Sequence, residues 1–365
     1  MQTDQLDRAL SVFAATAPEF GQFGLSNHGP MAAEVLERFG RADAIGDWVV
    51  AYRENLDPAP PPADKPLSED AWPAALGAPE RFPEWLALFE TEMADRPVAA
   101  VVGEWVARLA PGTVGAATHG LIRTAHGLRA LGVADTPPRR LEVATGLAYW
   151  ACRYQELPGP PLLIGHQNVP EALADLPYLP EDTPEEFLIR AVVAHVADIA
   201  EEFEQSVASL GYGGDATAFL DALAVGGARA YLRNAAGGHT VALIHAVTAP
   251  LALELVLPWL GEEDHTAALA YAWQAVAALH VAFDIDRSGP EVEGDVEGDV
   301  EGDVEVRGEG EVGDPPSSDA LIEQALRSGD AHALKLTEAA LRCHARTQEP
   351  ALLRAAADAS VRLRA

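Results

Sequence analysis

Lysine is nearly absent from this chain. Of its 25 basic residues only two are lysines, Lys65 and Lys335; the rest are arginine. A background rich in Arg, Ala, Gly and Pro accounts for the scarcity and leaves each surviving lysine to be explained. Lys65 lies in the Pro-rich stretch PAPPPADKP and needs no role, whereas Lys335 lies in an apolar helical pattern. Cysteine is as scarce, with Cys152 and Cys343 alone. That excludes a disulfide framework and a Cys-rich zinc site, and it fits a reducing cytoplasm. Bases are few altogether: 56 acidic against 25 basic residues in 365 give a net charge of −31. Nucleic acid and anionic membrane surfaces are therefore excluded as partners, since both are bound by clustered Lys and Arg. The first residues, MQTDQLDRALSVF, lack a basic stretch followed by an apolar one, so no signal peptide is expected. Two apolar runs, 241–260 and 267–283, resemble membrane spans. The first carries His245, Pro250, Glu254 and Pro258; the second is shorter than the ~20 residues a span needs and carries Gln274 and His280. Both read as buried helices of a chain outside the membrane.

Alternating β-branched runs are also missing, so no sheet is expected. Apolar residues recur instead at spacings of three and four, the helical period. Helices are predicted over 5–15, 31–39, 42–55, 83–92, 97–109, 118–131, 139–154, 184–210, 216–234, 241–257, 266–283, 318–328, 331–346 and 350–364. Pro30 suits a first helical turn, and Thr183-Pro184-Glu185-Glu186 reads as a capping box. The expected architecture is one all-α, multi-helix bundle spanning 1–365 with a central metal and substrate cavity. It is interrupted by an acidic low-complexity insertion at 291–314, where VEGD repeats three times and eleven acids face one Arg. Such composition predicts disorder and lacks the spacing of a calcium loop.

The common catalytic signatures are absent too: G-x-G-x-x-G after a strand, the phosphate-binding G-x-x-x-x-G-K-[ST], the G-x-S-x-G elbow and H-E-x-x-H. Eleven histidines are present. His28 lies in SNHGP, His119 and His126 in THGLIRTAHGL, His239 and His245 in GGHTVALIHAVTAP, and His280 in AALHVAF. His332 and Lys335 form H-A-L-K, three apart on one helix face. His166, His195, His265 and His344 have polar neighbours and read as solvated. A single histidine in an apolar helix is an ordinary core residue; several on separate helices suit a metal. Lysine is no ligand while protonated. Burial favours the neutral amine, which can add carbon dioxide and become a carbamate, an oxygen ligand on a long arm.

The segments SNHGP, MAAEVLERFG, THGLIRTAHGLRAL, LEVATGLAYWACRYQ, LIHAVTAPLAL and DAHALKLTEAALR, in this order, resemble the questin oxidase-like family from about His28 to Arg342. The resemblance implies an oxygenase that tailors aromatic polyketides, opening anthraquinone-type rings with dioxygen. It further implies a mononuclear non-haem Fe(II) held by His28, His119, His245, His332 and a carboxylated Lys335. Many members carry a second histidine four residues after the first of HGLI; this chain has Arg123 there and His126 one turn on. The fourth histidine is thus open between His332, His126 and His239, with His280 in reserve. Tyr149, Trp150 and Trp273 are candidates for stacking on a flat substrate, and Arg123 and Arg153 for holding a phenolate. Two other readings stand beside this one: a metal-free, NADPH-dependent Baeyer–Villiger-type oxidase, and a non-catalytic helical binding protein. A homodimer is compatible with the sequence.

Overall fold

The computed structural model describes residues 4–68, 70–237, 240–287 and 316–363. The acidic insertion and His239 lie outside the described residues. The fold is all-α. Its helices are α1 (Gln5–Phe13), α2 (Gly29–Arg38), α3 (Ile45–Arg53), α4 (Phe82–Asp95), α5 (Val98–Leu109), α6 (His119–Val133), α7 (Pro137–Cys152) and α8 (Val169–Ala174). They continue with α9 (Ile189–Ala194), α10 (Ala200–Val207), α11 (Ala216–Asn234), α12 (Thr240–Val256), α13 (Glu262–Phe283), α14 (Ser318–Ser328), α15 (Ala331–Thr347) and α16 (Pro350–Arg362). The expected helices match closely, with α8 an unexpected addition and two further corrections. A two-stranded antiparallel ribbon, β1 (Glu19–Phe20) and β2 (Leu25–Ser26), was not anticipated. The single helix expected over 184–210 is broken: residues 183–188 are non-helical, and α9, a short 3-10 turn and α10 follow. The capping box at Thr183 therefore does not form. Phe187 instead packs against Phe23 of the ribbon loop, with ring centroids 4.8 Å apart. The capping box that does form, Asn168 with Glu171, starts α8.

α12 is the axis of the core. It is apolar on all faces, as a helix surrounded by others must be, and it packs against α6, α11, α13 and α15. α12 and α13 are long and apolar enough to cross a membrane, yet their most apolar windows are 83% and 78% buried among other helices. Both are core helices, as the sequence suggested. Pro250 sits inside α12. Proline cannot donate to the carbonyl four residues back, which frees that of Ala246. α11 reaches closest there: a Cβ on Gly227 would lie 2.7 Å from the Ala246 carbonyl. α6 and α7 meet through glycines in the same way. A Cβ on Gly120 would lie 2.5 Å from Trp150 Cα, and one on Gly146 would lie 2.8 Å from the Thr124 backbone.

Because the atom opposite Gly120 is backbone, the added methyl of Gly120→Ala cannot be absorbed by a rotamer change. Gly120→Ala is expected to lower stability by about 1–3 kcal/mol, the range for overpacked cores. An unchanged midpoint in chemical denaturation would show that α6 and α7 do not approach this closely.

Candidate functional site

Three of the candidate histidines sit at helix starts. His28 is the N-cap residue of α2, with Pro30 in the first turn behind it. Its backbone N–H donates to the Tyr52 hydroxyl at 2.9 Å. Asn27 anchors the turn: its side-chain oxygen accepts from Gly29 N at 3.0 Å and its amide donates to the Ala17 carbonyl at 3.0 Å. His332 lies in the first turn of α15, whose N-cap Asp330 accepts from His332 N at 2.7 Å and Ala333 N at 3.1 Å. Lys335 follows one turn later on the same side. His119 opens α6 after three consecutive residues with left-handed backbones: Ala116 (φ 49°), Ala117 (φ 54°) and Thr118 (φ 66°). Residues with a Cβ rarely adopt this conformation, and such strain concentrates at functional sites. Here it turns the Ala116 carbonyl onto His119 Nδ1 at 2.5 Å. His245 comes from the middle of α12, fully buried.

The four rings converge. His119 Nε2 lies 2.8 Å from His28 Nε2 and 3.2 Å from His245 Nε2. The His332 ring centroid lies 4.3 Å from that of His28, 5.6 Å from His245 and 6.4 Å from His119. Ring nitrogens of His28, His119 and His332, one from each, all lie within 4.8 Å of one another, close enough to share a metal ion. The Ala116 carbonyl takes the Nδ1 proton of His119, so its Nε2 carries a lone pair. One lone pair cannot serve two imidazole neighbours well by hydrogen bonding. Nitrogens about 2.0–2.1 Å from a shared ion, at right angles, stand about 3.0 Å apart. The observed 2.8 and 3.2 Å bracket that value.

Lys335 completes the group. It is 2% exposed, and its Nζ has no hydrogen-bond partner. Burial brings its amine down to about 7, against a small opposing pull from Asp330. The four imidazoles are likewise held below their usual range, first by burial and then by Lys335 or by one another. In His332 the second influence is Asp330, which opposes the shift from 3.6 Å. Helix starts also disfavour an imidazolium through their positive dipole ends. The cluster is therefore a set of neutral nitrogen donors beside an amine without a partner. That donor set suits a metal ion once the amine becomes a carbamate.

His126 is not part of it. Seven residues of helix separate it from His119 by about 10.5 Å, too far for one centre. His126 Nδ1 meets Glu34 at 2.8 Å, and Arg129 donates to Glu34 and to Glu338. Arg342 extends the chain, donating to Glu338 at 3.2 Å. This buried network joins α2, α6 and α15, the three helices that present His28, His119 and His332. His280 also lies elsewhere, paired with Asp284 at 3.1 Å. Lys65 is exposed.

A pocket of about 590 Å³ opens onto the histidines, lined by His28, His119, His245 and His332. Phe20, Leu25, Tyr52, Tyr149, Phe187 and Phe283 supply apolar walls. Phe187, 72% exposed, stands at the mouth. Of the expected stacking residues only Tyr149 lines this pocket. Trp150 and Trp273 are core residues, donating to the carbonyls of Gly112 and Val207. Arg123 and Arg153 do not line it either: Arg123 is locked onto Glu142 at 2.6 and 3.0 Å, and Arg153 onto Glu19. Polar wall groups absent from the sequence-based expectations are Glu19, Ser26, Asn55, Glu186, Arg190 and Asp330. Tyr149 donates to Glu19 at 3.0 Å, and its oxygen lies 2.6 Å from Ser26 Oγ.

Burial pushes the Glu338 carboxyl up, but Arg342 and Arg129 outweigh it and bring it down to about 2. A depressed carboxylate contributes stability above its unfolded value, near 4.3, and loses it as pH falls towards 2. Glu338→Gln is accordingly expected to destabilise by about 3–5 kcal/mol at neutral pH. The gap from the parent protein should close in denaturation curves taken between about pH 4.3 and 2. A gap independent of pH would mean that the carboxylate charge is not what holds the three helices.

The family model described as questin oxidase-like matches residues 47–340. The match takes in His119, His245, His332 and Lys335 and starts after His28. No curated protein matches the chain. With most of its 365 residues covered, the chain belongs to the questin oxidase-like family and is an oxidoreductase of that kind.

Proposed function

We propose that the protein is an oxygenase that cleaves a ring of an aromatic, anthraquinone-type polyketide at a mononuclear non-haem Fe(II). The ligands would be His28, His119, His245, His332 and Lys335 carboxylated by carbon dioxide. The observation that carries this reading is the convergence of four neutral imidazoles on one another, with a buried, partnerless amine close enough to influence all four. Bound iron supplies a redox-active centre that lets triplet dioxygen react with a closed-shell aromatic. The protein's own groups do the rest. Aromatic and aliphatic walls receive a flat polycycle in a volume suited to a small molecule. Tyr149 spends its proton on Glu19, which Arg153 holds in place, so Ser26 donates to the Tyr149 oxygen. Ser26 Oγ is then an acceptor for a substrate hydroxyl. Asp330 orients the His332 ring, and Ala116 orients that of His119. A helical binding protein with scattered histidines fits poorly, because every measured ring-centroid separation in the cluster is 6.4 Å or less.

Two tests follow. The purified protein, reconstituted anaerobically with Fe(II) and bicarbonate, is expected to retain about one iron per chain. Lys335→Met should lose it while raising the stability of the metal-free protein by about 1–3 kcal/mol, the penalty of an unsatisfied buried polar group. Lys65→Ala should change neither. Full iron retention by Lys335→Met would overturn the ligand assignment. For the pocket, Tyr149→Phe is expected to keep its iron and lower kcat/KM about tenfold, the worth of one hydrogen bond of the stronger kind. An unchanged kcat/KM on a hydroxyanthraquinone would remove the Ser26–Tyr149 pair from substrate recognition.

A further inference from the structure

A second cleft, of about 570 Å³, shares no lining residue with the histidine pocket. It is walled by one face of α11, by α8 and by the ends of α13 and α15. Four arginines line it, Arg229, Arg233, Arg287 and Arg346, in a chain where acids outnumber bases 56 to 25. Two are occupied. Arg346 is held by Asp221 and Glu254, and Arg287 closes helix ends by donating to the carbonyls of His280 at 2.9 Å and Pro177 at 2.6 Å. Arg229 and Arg233, four apart on the lining face of α11, are less committed. Each places one terminal nitrogen on a carboxylate: Arg229 on Glu349 at 3.1 Å and Arg233 on Asp284 at 2.7 Å. Arg233 Nε is buried with no partner, as is Arg287 Nε, whose two terminal nitrogens are both spent on carbonyls. A guanidinium has five N–H donors in a fork that matches an oxyanion.

His280 makes the cleft selective. It is 1% exposed and lines the cleft, and its Nε2 has no partner. Its Nδ1 lies 3.1 Å from Asp284, whose carboxylate is also held by Asn234 at 2.7 Å and by Arg233. A carboxylate only accepts, so the imidazole proton sits on Nδ1 and Nε2 offers a lone pair. Burial keeps the ring neutral, with Asp284 acting against it. Asp221, the buried carboxylate on the same wall, is turned onto Arg346, so the cleft presents N–H donors beside one buried acceptor without a partner, His280 Nε2.

We infer that this cleft binds a small oxyanion that brings its own O–H, hydrogen phosphate or a hydroxycarboxylate, with the oxygens on Arg229 and Arg233 and the hydroxyl donated to His280 Nε2. Sulfate has the charge and shape of phosphate but no proton at neutral pH, and it would leave Nε2 unsatisfied.

Calorimetric titration of the full chain at constant ionic strength tests this with phosphate, malate and sulfate. Phosphate or malate is expected to bind one to one, with sulfate at least about tenfold weaker, as befits one lost charge-assisted hydrogen bond. Arg229→Met, at a half-exposed position, should weaken binding about tenfold. His280→Phe should erase the preference over sulfate, and His28→Ala should leave binding as it was. Binding of neither phosphate nor malate, sulfate bound equally well by the parent protein, indifference to Arg229→Met, or loss of binding in His28→Ala would each overturn the assignment. Which of the two ligands binds distinguishes an inorganic from an organic source.

Discussion

The structure turns on an amine placed where an amine is costly. Lys335 is buried to 2% exposure with its Nζ unbonded, close enough to four imidazoles that a charge on it would hold them neutral. A buried polar group without a partner is destabilising, and a buried charge more so. Folding here accepts the first, and burial works against the second. The neighbours explain how: with no carboxylate bonded to Nζ, burial can hold the amine near neutrality, the state in which it is nucleophilic. In a chain with one other lysine, on its exposed Pro-rich stretch, this placement is a property of the site and not of composition.

The surrounding fold is built to hold rings at these positions. Three site histidines sit at helix starts, where backbone and side chain are fixed together by Asn27, Asp330 and the left-handed turn at Ala116–Thr118. The fourth projects from α12, a helix buried in the core, five residues before its proline. Below them the buried Glu34–Arg129–Glu338 network ties α2, α6 and α15 together. Its pairs are deeply buried, so removing one partner strands the other. The network and the histidine cluster thus depend on the same three helices.

Much of this was legible in the sequence, for identifiable reasons. The helical period located nearly every long helix, and the three-residue spacing of His332 and Lys335 placed both on one face. The ordered motifs around His28, His119 and His245 pointed to the residues that meet. His126 was ambiguous because a heptad spacing puts it on the same face as His119, and only axial distance separates the two. Contacts between distant segments left no local trace. Glu34 meets His126 across 92 residues, and Ser26 meets Tyr149 across 123. Asp330 did carry a signal, as an Asp directly before an apolar helical run. The capping box at Thr183 does not form; residues 183–188 stay non-helical and Phe187 meets Phe23 of the ribbon loop, a contact that local sequence does not reveal. Arg123 and Arg153, plausible as anion holders by charge, are consumed by Glu142 and Glu19.

Crystallographic anomalous scattering at the iron edge, on protein reconstituted with Fe(II) and bicarbonate, bears most directly on the site. The account predicts a single peak about 2 Å from the ligating nitrogens of His28, His119, His245 and His332. It also predicts electron density for a planar carboxylate continuing from Lys335 Nζ towards the peak. An iron peak elsewhere, or a bare Lys335 amine beside an empty histidine cluster, would contradict it.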